Sequence, residues 1–327
     1  MSFRFLLLVL PPLLAALPAS AEKFRFERPL MGTRFMVVCH ADDRETATKV
    51  ANAAFRVAEE LNATASDYLP ESELSMLSSM PVAKPIPLSP LLYGLLEHSR
   101  RMAEATGGAF DPTLGPLTRL WRETRDQRRL PDAEKLRSAR ERTGWRNFTL
   151  DPESQTITLH RENMAFDLGA VAKGYAADLM LESLAEHGIR RAMIAAGGEI
   201  RLGDAPPERD GWRVAVQTFD PARPDDIVVL SNAAVSTSGD LYQSVEIDGI
   251  RYSHILSPPT GLGLKQRVAA MVIADEAKLS DALSTAACVL GPDSSEQLRH
   301  FPGLRELKVM TPQESLVRIP GNIPSTH

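Results

Sequence analysis

The sequence predicts an α+β protein whose sheets are mixed, largely antiparallel and flanked by helices. Strand and helix signals alternate along the chain without any fixed-period repeat. Two of the strand pairs are joined by strong turn signals, Asp151-Pro152-Glu153-Ser154 and Asp248-Gly249. A third observation removes the main competitor. No Gly-x-Gly-x-x-Gly turn follows a strand, so a doubly wound dinucleotide fold is not supported.

The chain opens with Arg4 ahead of an apolar run over 5–17, then Pro18 and the small residues Ala19-Ser20-Ala21. Residues 1–21 read as a cleaved secretory signal peptide, too short to span a bilayer, with the mature chain starting at Glu22. No cysteine stands at the cleavage point to take a lipid, and no twin arginine precedes the apolar run. An exported protein with no stable membrane anchor is expected. The formal net charge of −5 argues against nucleic acid as a partner. Residues 22–327 are enough to bury a large core, in one big domain or two intimate ones.

In order, a strand is expected over 34–39 and an alanine-rich amphipathic helix over about 45–65. Ser89-Pro90 opens a second helix, with serine as the cap and proline at the first helical position, and Gly107-Gly108 stops it. Residues 119–142 are dense in charge and read as surface. A hairpin joins 148–150 to 156–159. A helix from Val171 ends at Gly188, and 192–195 follows as a short buried strand. Further strands are expected over 212–217, 227–230 and 234–237, with the proline-rich, charged stretch 204–210 as a surface loop. Residues 242–247 and 250–256 pair across Asp248-Gly249. A strand near 268–273 leads into a helix over about 279–290 that closes at Gly291. Cys39 and Cys288 each lie in an apolar stretch and read as buried free thiols ahead of a disulfide, which export would permit. Neither has a histidine or basic cluster close in sequence to activate it.

Three segments carry chemistry. Over 166–178 an acid, Asp167, and a flexible turn lead into a helix that bears Lys173. The first turn of that helix is expected to offer free N–H groups to anionic oxygens, and Lys173 adds a full charge. Asp167 would repel a phosphate unless a cation lay between them. The plainer alternative is an acid-capped helix start with a solvated lysine. In the last helix, Asp281, Ser284 and Thr285 share one face and offer oxygen to a hard cation such as magnesium; alternatively the acid serves the helix N-terminus and the hydroxyls pack. His254 falls at a strand end before the turn Ser257-Pro258-Pro259-Thr260-Gly261, well placed for proton transfer, although most isolated histidines are structural or solvated.

Taken in order, Met31-Gly32-Thr33, Ser72-Glu73-Leu74-Ser75 after Tyr68, Gly108-Ala109-Phe110-Asp111, the run 167–178, Ala196-Gly197-Gly198, Thr237-Ser238-Gly239-Asp240, the stretch 254–261 and Ser280-Asp281-Ala282-Leu283-Ser284-Thr285-Ala286 resemble the motifs of the ApbE-like FAD:protein FMN transferases. The resemblance runs along nearly the whole mature sequence. It implies a T-fold-like α+β architecture and a periplasmic enzyme that binds FAD with Mg2+ and cleaves the pyrophosphate. FMN would pass through a phosphoester to a threonine or serine of an acceptor flavoprotein, a subunit of a respiratory redox complex, with AMP released. Carried onto the matching positions, the resemblance implies a metal at the backbone carbonyl of Ala170 and the side chains of Asp281 and Thr285, with Ser284 as a further candidate. It implies FAD contacts from Met31, Tyr68, Ala109, Phe110, Asp111, Asp167, Lys173 and Ile255, and a catalytic base at His254. The chain departs from the family pattern at Ser257, where an aspartate is usual, at Pro259, where a basic residue is common, and at Glu199, where a shorter Asn or Asp is typical. Two other readings use the same residues: an FAD pyrophosphatase with water as acceptor, and a non-catalytic FAD-binding protein.

Overall fold

The computed structural model describes residues 21–216, 226–239, 243–311 and 314–320. The expected signal peptide, apart from Ala21, lies outside the described residues, as do Gln217, Asp240 and Tyr242 of the expected strands and motifs.

Strand β1 (Glu22–Leu30) turns back at Met31-Gly32 into β2 (Thr33–Ala41). Both turn residues have positive φ, 50° and 72°, the backbone a two-residue hairpin needs to follow the twist of its strands. Helix α1 (Arg44–Ala65) starts where Asp43 accepts the Thr46 N–H at 2.8 Å, and it buries Val50, Phe55 and Leu61. The short α2 (Glu73–Met76) and strand β3 (Pro85–Pro87) lead to α3 (Pro90–Ala105), capped as expected by Ser89 on the Leu92 N–H. Next come α4 (Gly115–Gln127) and α5 (Ala133–Glu141), then the hairpin β4 (Phe148–Asp151) and β5 (Thr156–Leu159).

Helix α6 (Ala172–Glu186) is followed by β6 (Ala192–Ala196), β7 (Glu199–Leu202), β8 (Trp212–Val216), β9 (Asp226–Leu230) and β10 (Ala233–Gly239). The hairpin β11 (Ser244–Ile247) and β12 (Ile250–Ser253) turns at Asp248-Gly249, both again at positive φ. Strand β13 (Ala269–Ala274), α7 (Ala277–Leu290), α8 (Ser294–Leu298), β14 (Leu304–Thr311) and β15 (Glu314–Pro320) complete the order.

Eight strands form one sheet in the order β1-β2-β6-β7-β10-β13-β14-β15, with every neighbouring pair antiparallel. Successive residues of a strand point to opposite faces, and both faces here are covered. Val37 and Cys39 enter the main core under α1, α6 and α7, whereas Val38 enters a second core with Trp212, Val214 and Val216 of β8. Burial on both faces explains why β13 is buried at every position and reads as an unbroken apolar run. Helix α6 lies against α1, α7 and the sheet together, so its apolar residues spread around it rather than along one stripe.

A third cluster joins Leu117 and Trp121 of α4, Ala139 of α5, Ile247 and Tyr252 of the β11–β12 hairpin, and Leu256. Trp121 meets the Tyr252 ring edge-on at 5.6 Å and donates its Nε1–H to the Ser253 carbonyl at 3.2 Å. The stretch 119–142 is therefore not all surface. Its charges cover a sparse apolar stripe that seats the hairpin leading to His254. Both cysteines are buried thiols, and burial pushes the Cys39 thiol up to about 11. No helix among the described residues is long and apolar enough to cross a membrane.

Candidate active site

The turn into α6 is built from short local bonds. Asp167 Oδ1 accepts the Gly169 N–H at 2.9 Å, and the Leu168 carbonyl accepts the N–H groups of Val171 and Ala172 at 3.0 and 2.8 Å. The Gly174 N–H donates to Asp281 Oδ2 at 3.0 Å. The free first-turn N–H groups expected from the sequence are thus largely engaged inside the protein. For Gly174 the reason is the closeness of α7: a Cβ there would lie 2.2 Å from the Ala277 carbonyl oxygen and 2.8 Å from the Asp281 Cβ. Because Gly174 donates to Asp281 rather than four residues back, the Ala170 carbonyl falls outside the helical ladder.

Lys173 is not solvated in the manner of a surface lysine. Its Nζ donates to the Gly169 carbonyl at 2.8 Å and lies 3.7 Å from Glu199 Oε1 and 3.8 Å from Asp281 Oδ2. Burial works to lower its pKa, but Asp281, Glu199 and Asp167 outweigh that and hold it above the ordinary lysine value. Burial raises the Asp281 carboxyl, with Lys173, the Gly174 N–H and a side-chain hydrogen bond to Glu199 opposing. Glu199, desolvated and close to the Asp281 charge, is pushed up to about 8. Among the described residues no N–H or hydroxyl donor reaches its buried Oε2.

Hydroxyls continue this corner. Ser238 Oγ of β10 lies 2.7 Å from Ser284 Oγ and 3.2 Å from Thr285 Oγ1. Ser284 also donates to the Asp281 carbonyl at 2.8 Å and is fully buried. Thr285 and Ser238 line the cavity, and Ser284 does not.

At the opposite rim, Arg122 of α4 pairs with Asp67 at 2.7 Å, approaches Asp167 Oδ2 at 4.0 Å, and lays its guanidinium 4.0 Å from the centre of the Tyr68 ring. Tyr68 is 72% exposed, an open aromatic face held by a cation beneath it. Asp111 is buried and accepts from the Thr113 N–H at 2.8 Å, the Thr113 hydroxyl at 2.6 Å and the Trp145 N–H at 3.1 Å, which fixes the loop after Ala109 and Phe110. His254 Nδ1 lies 3.2 Å from the Gln243 carbonyl oxygen. A carbonyl only accepts, so this contact assigns the proton to Nδ1 and the lone pair of the neutral ring to Nε2.

One cavity of about 1060 Å³ joins the two rims: Asp67, Arg122, Glu199 and Ser238 line it, as does every site residue read from the sequence except Ser284. That volume is at the upper end for small-molecule sites. A neighbouring hollow of about 840 Å³ shares Met31, Gly32, Thr33 and Asn62 with it beneath the β1–β2 turn. Sequence reasoning missed Asp67, Arg122 and Ser238. Ser238 stood inside a recognised glycine turn, whereas nothing in a stretch so rich in arginine marks Arg122 apart from its neighbour Trp121. Among the described residues no three His, Cys, Asp or Glu side chains gather as a metal cage. The Ala170 carbonyl, the Asp281 carboxylate and the Thr285 hydroxyl are instead a sparse set of hard oxygen donors. They fit Mg2+, which binds few protein ligands and leaves positions for phosphate oxygens.

An antiparallel α+β fold with a large cleft, a charged lysine and an oxygen-rich corner defines the class. The chain belongs to the ApbE family, whose family model matches residues 31–306. Among its relatives, the FAD:protein FMN transferase of Vibrio cholerae serotype O1 is 32% identical over 293 residues, 86% of this chain and 85% of that protein. The FAD:protein FMN transferase of Treponema pallidum is 34% identical over 256 residues, 72% of this chain and 70% of that one. The crystal structure of Pseudomonas stutzeri flavinyl transferase ApbE is similar with a TM-score of 0.80 at 27% identity, over 92% of this chain and 95% of that chain. The ApbE protein of Thermotoga maritima gives a TM-score of 0.81 at 27% identity, over 91% and 97%.

Proposed function

We propose that this protein is a magnesium-dependent FAD:protein FMN transferase. It cleaves FAD, attaches FMN by a phosphoester to a threonine or serine of an exported or membrane-bound respiratory flavoprotein, and releases AMP. Family membership and the names of its relatives support the activity. The observation that carries the site is the meeting of Lys173, the Ala170, Asp281 and Thr285 oxygens, and His254 on one cavity.

In this reading Tyr68, stacked on Arg122, offers its open face to an aromatic ring of FAD, and Met31, Ala109, Phe110 and Ile255 supply the apolar walls. Asp111 and Asp167 hold the loops that frame the ligand. Lys173 neutralises the pyrophosphate. Ala170, Asp281 and Thr285 would hold magnesium, which when bound would supply positive charge to the phosphate oxygens. His254 Nε2 takes the proton of the incoming hydroxyl, whose oxygen attacks the phosphorus on the riboflavin side as the bond to AMP breaks. Ser284 supports from behind, through its bonds to Asp281 and Ser238. Residues 22–327 act as one flavin transferase domain, and residues 1–21 are a leader removed on export to the periplasm.

The test is to incubate the protein with FAD, Mg2+ and a candidate acceptor and to weigh the acceptor. A gain of one FMN supports transfer. An unlabelled acceptor with free FMN accumulating would mean that water is the true acceptor.

A further inference from the structure

Glu199 takes no part in the transfer proposed above, yet it is built into the cavity. It opens β7, is 3% exposed, and lines the cleft. Its Oε1 and Asp281 Oδ2 converge on the same Lys173 ammonium at 3.7 and 3.8 Å. Among the described residues no N–H or hydroxyl donor reaches its Oε2. A buried carboxyl oxygen is costly to leave unsatisfied, so this one calls for an occupant of the cavity. A phosphate there would meet the charge of the adjoining Asp281. A cation would satisfy Glu199 and the adjoining Asp281 at once, beside the Ala170 carbonyl and the Thr285 hydroxyl.

We propose that Glu199 is a second carboxylate ligand of the cation corner, so that the protein holds a divalent ion before FAD arrives. The proposal rests on the reading of Asp281, Thr285 and Ala170 as a cation site. With Asp281 as the sole carboxylate, Lys173 cancels the negative charge and a divalent ion depends on phosphate oxygens for its hold. A second carboxylate raises the ligand charge, which is the property that tunes affinity for hard cations. Substrate and ion would then load in a set order, ion first.

Manganese, followed by the loss of its free-ion EPR signal, can be titrated into the full chain without FAD, beside Glu199→Gln, Glu199→Asp and Asp281→Asn. Circular dichroism and thermal unfolding of each variant establish that it is folded. Saturable binding is expected for the wild type, about tenfold or more weaker in Glu199→Gln, largely kept in Glu199→Asp and lost in Asp281→Asn. Equal affinity in wild type and Glu199→Gln overturns the proposal and leaves the Asp281 site standing. Wild-type binding that appears only once FAD is added does the same, and this comparison needs no variant to fold. A wild type that binds no manganese with or without FAD overturns both.

Discussion

Gly174 and Asp281 meet where α6 and α7 cross, the glycine N–H donating to Asp281 Oδ2 at 3.0 Å. A second carboxylate runs the other way. Asp178 of α6 accepts the N–H groups of Ala277 and Lys278 at 2.9 and 2.8 Å and takes Arg201 Nε at 2.7 Å. Each helix thus satisfies backbone donors near the start of the other with an aspartate, which is favourable for both groups. The oxygen corner sits at that junction.

Gly174→Ala tests the junction. Alanine favours a helix by about 1 kcal/mol over glycine, but its Cβ would meet the Ala277 carbonyl oxygen at 2.2 Å, which backbone cannot yield. The helices must part, at a net cost of about 2 kcal/mol. Urea unfolding should show the loss, and transfer should fall with it as Asp281 moves. A variant as stable as wild type would mean that the helix contact is looser than described.

Asp281→Ala should abolish magnesium-dependent transfer rather than weaken it, because the corner loses the carboxylate on which the proposed magnesium site depends. Acceptor mass after incubation with FAD and Mg2+ is the readout. Labelling at the wild-type rate would refute the metal assignment.

His254→Ala should bind FAD as before and transfer FMN about a hundredfold or more slowly, the usual contribution of a positioned base. Equilibrium binding and single-turnover labelling separate the two. Loss of both together would make the histidine a structural or ligand contact.

His98 gives the fold a pH dependence of its own. Buried between α3 and α7, it donates Nε2–H to the Lys278 carbonyl at 3.2 Å, and burial above all lowers its pKa from 6.5 to about 4. Across that window the unfolded chain takes up a proton that the folded protein does not, so stability falls as the pH drops from about 6.5 towards 4. His98→Gln keeps a donor and removes the titration. Its Tm should decline less than that of the wild type over the same range, and parallel curves would count against this origin.

Legibility in the sequence followed from how local each cause is. Helix α3 could be read because Ser89, Pro90 and Gly107 announce its ends in the chain itself. Strand β1 was not read, because its alternation of Phe24 and Phe26 with Arg25 and Glu27 is short and only Phe24 of its residues is fully buried. The segment leading into α6 was legible as a motif with a lysine, but the fate of its N–H groups was not. The acceptor for Gly174 lies 107 positions away. Arg122 shows the same limit from the other side. Its partners Asp67 and Tyr68 lie far back in the chain, and no spacing among the arginines reveals them.

The cleft draws its walls from Met31 through Val289, and β2 pairs with β6 across most of the first half of the chain. Such long-range pairing is among the slowest things a polypeptide does. The cavity therefore cannot exist in a truncated or half-folded chain, however much helix that chain has already formed. Ligand capture becomes a late checkpoint on maturation: whatever binds there stabilises only the completed protein, and its uptake should lag behind the recovery of secondary structure during refolding.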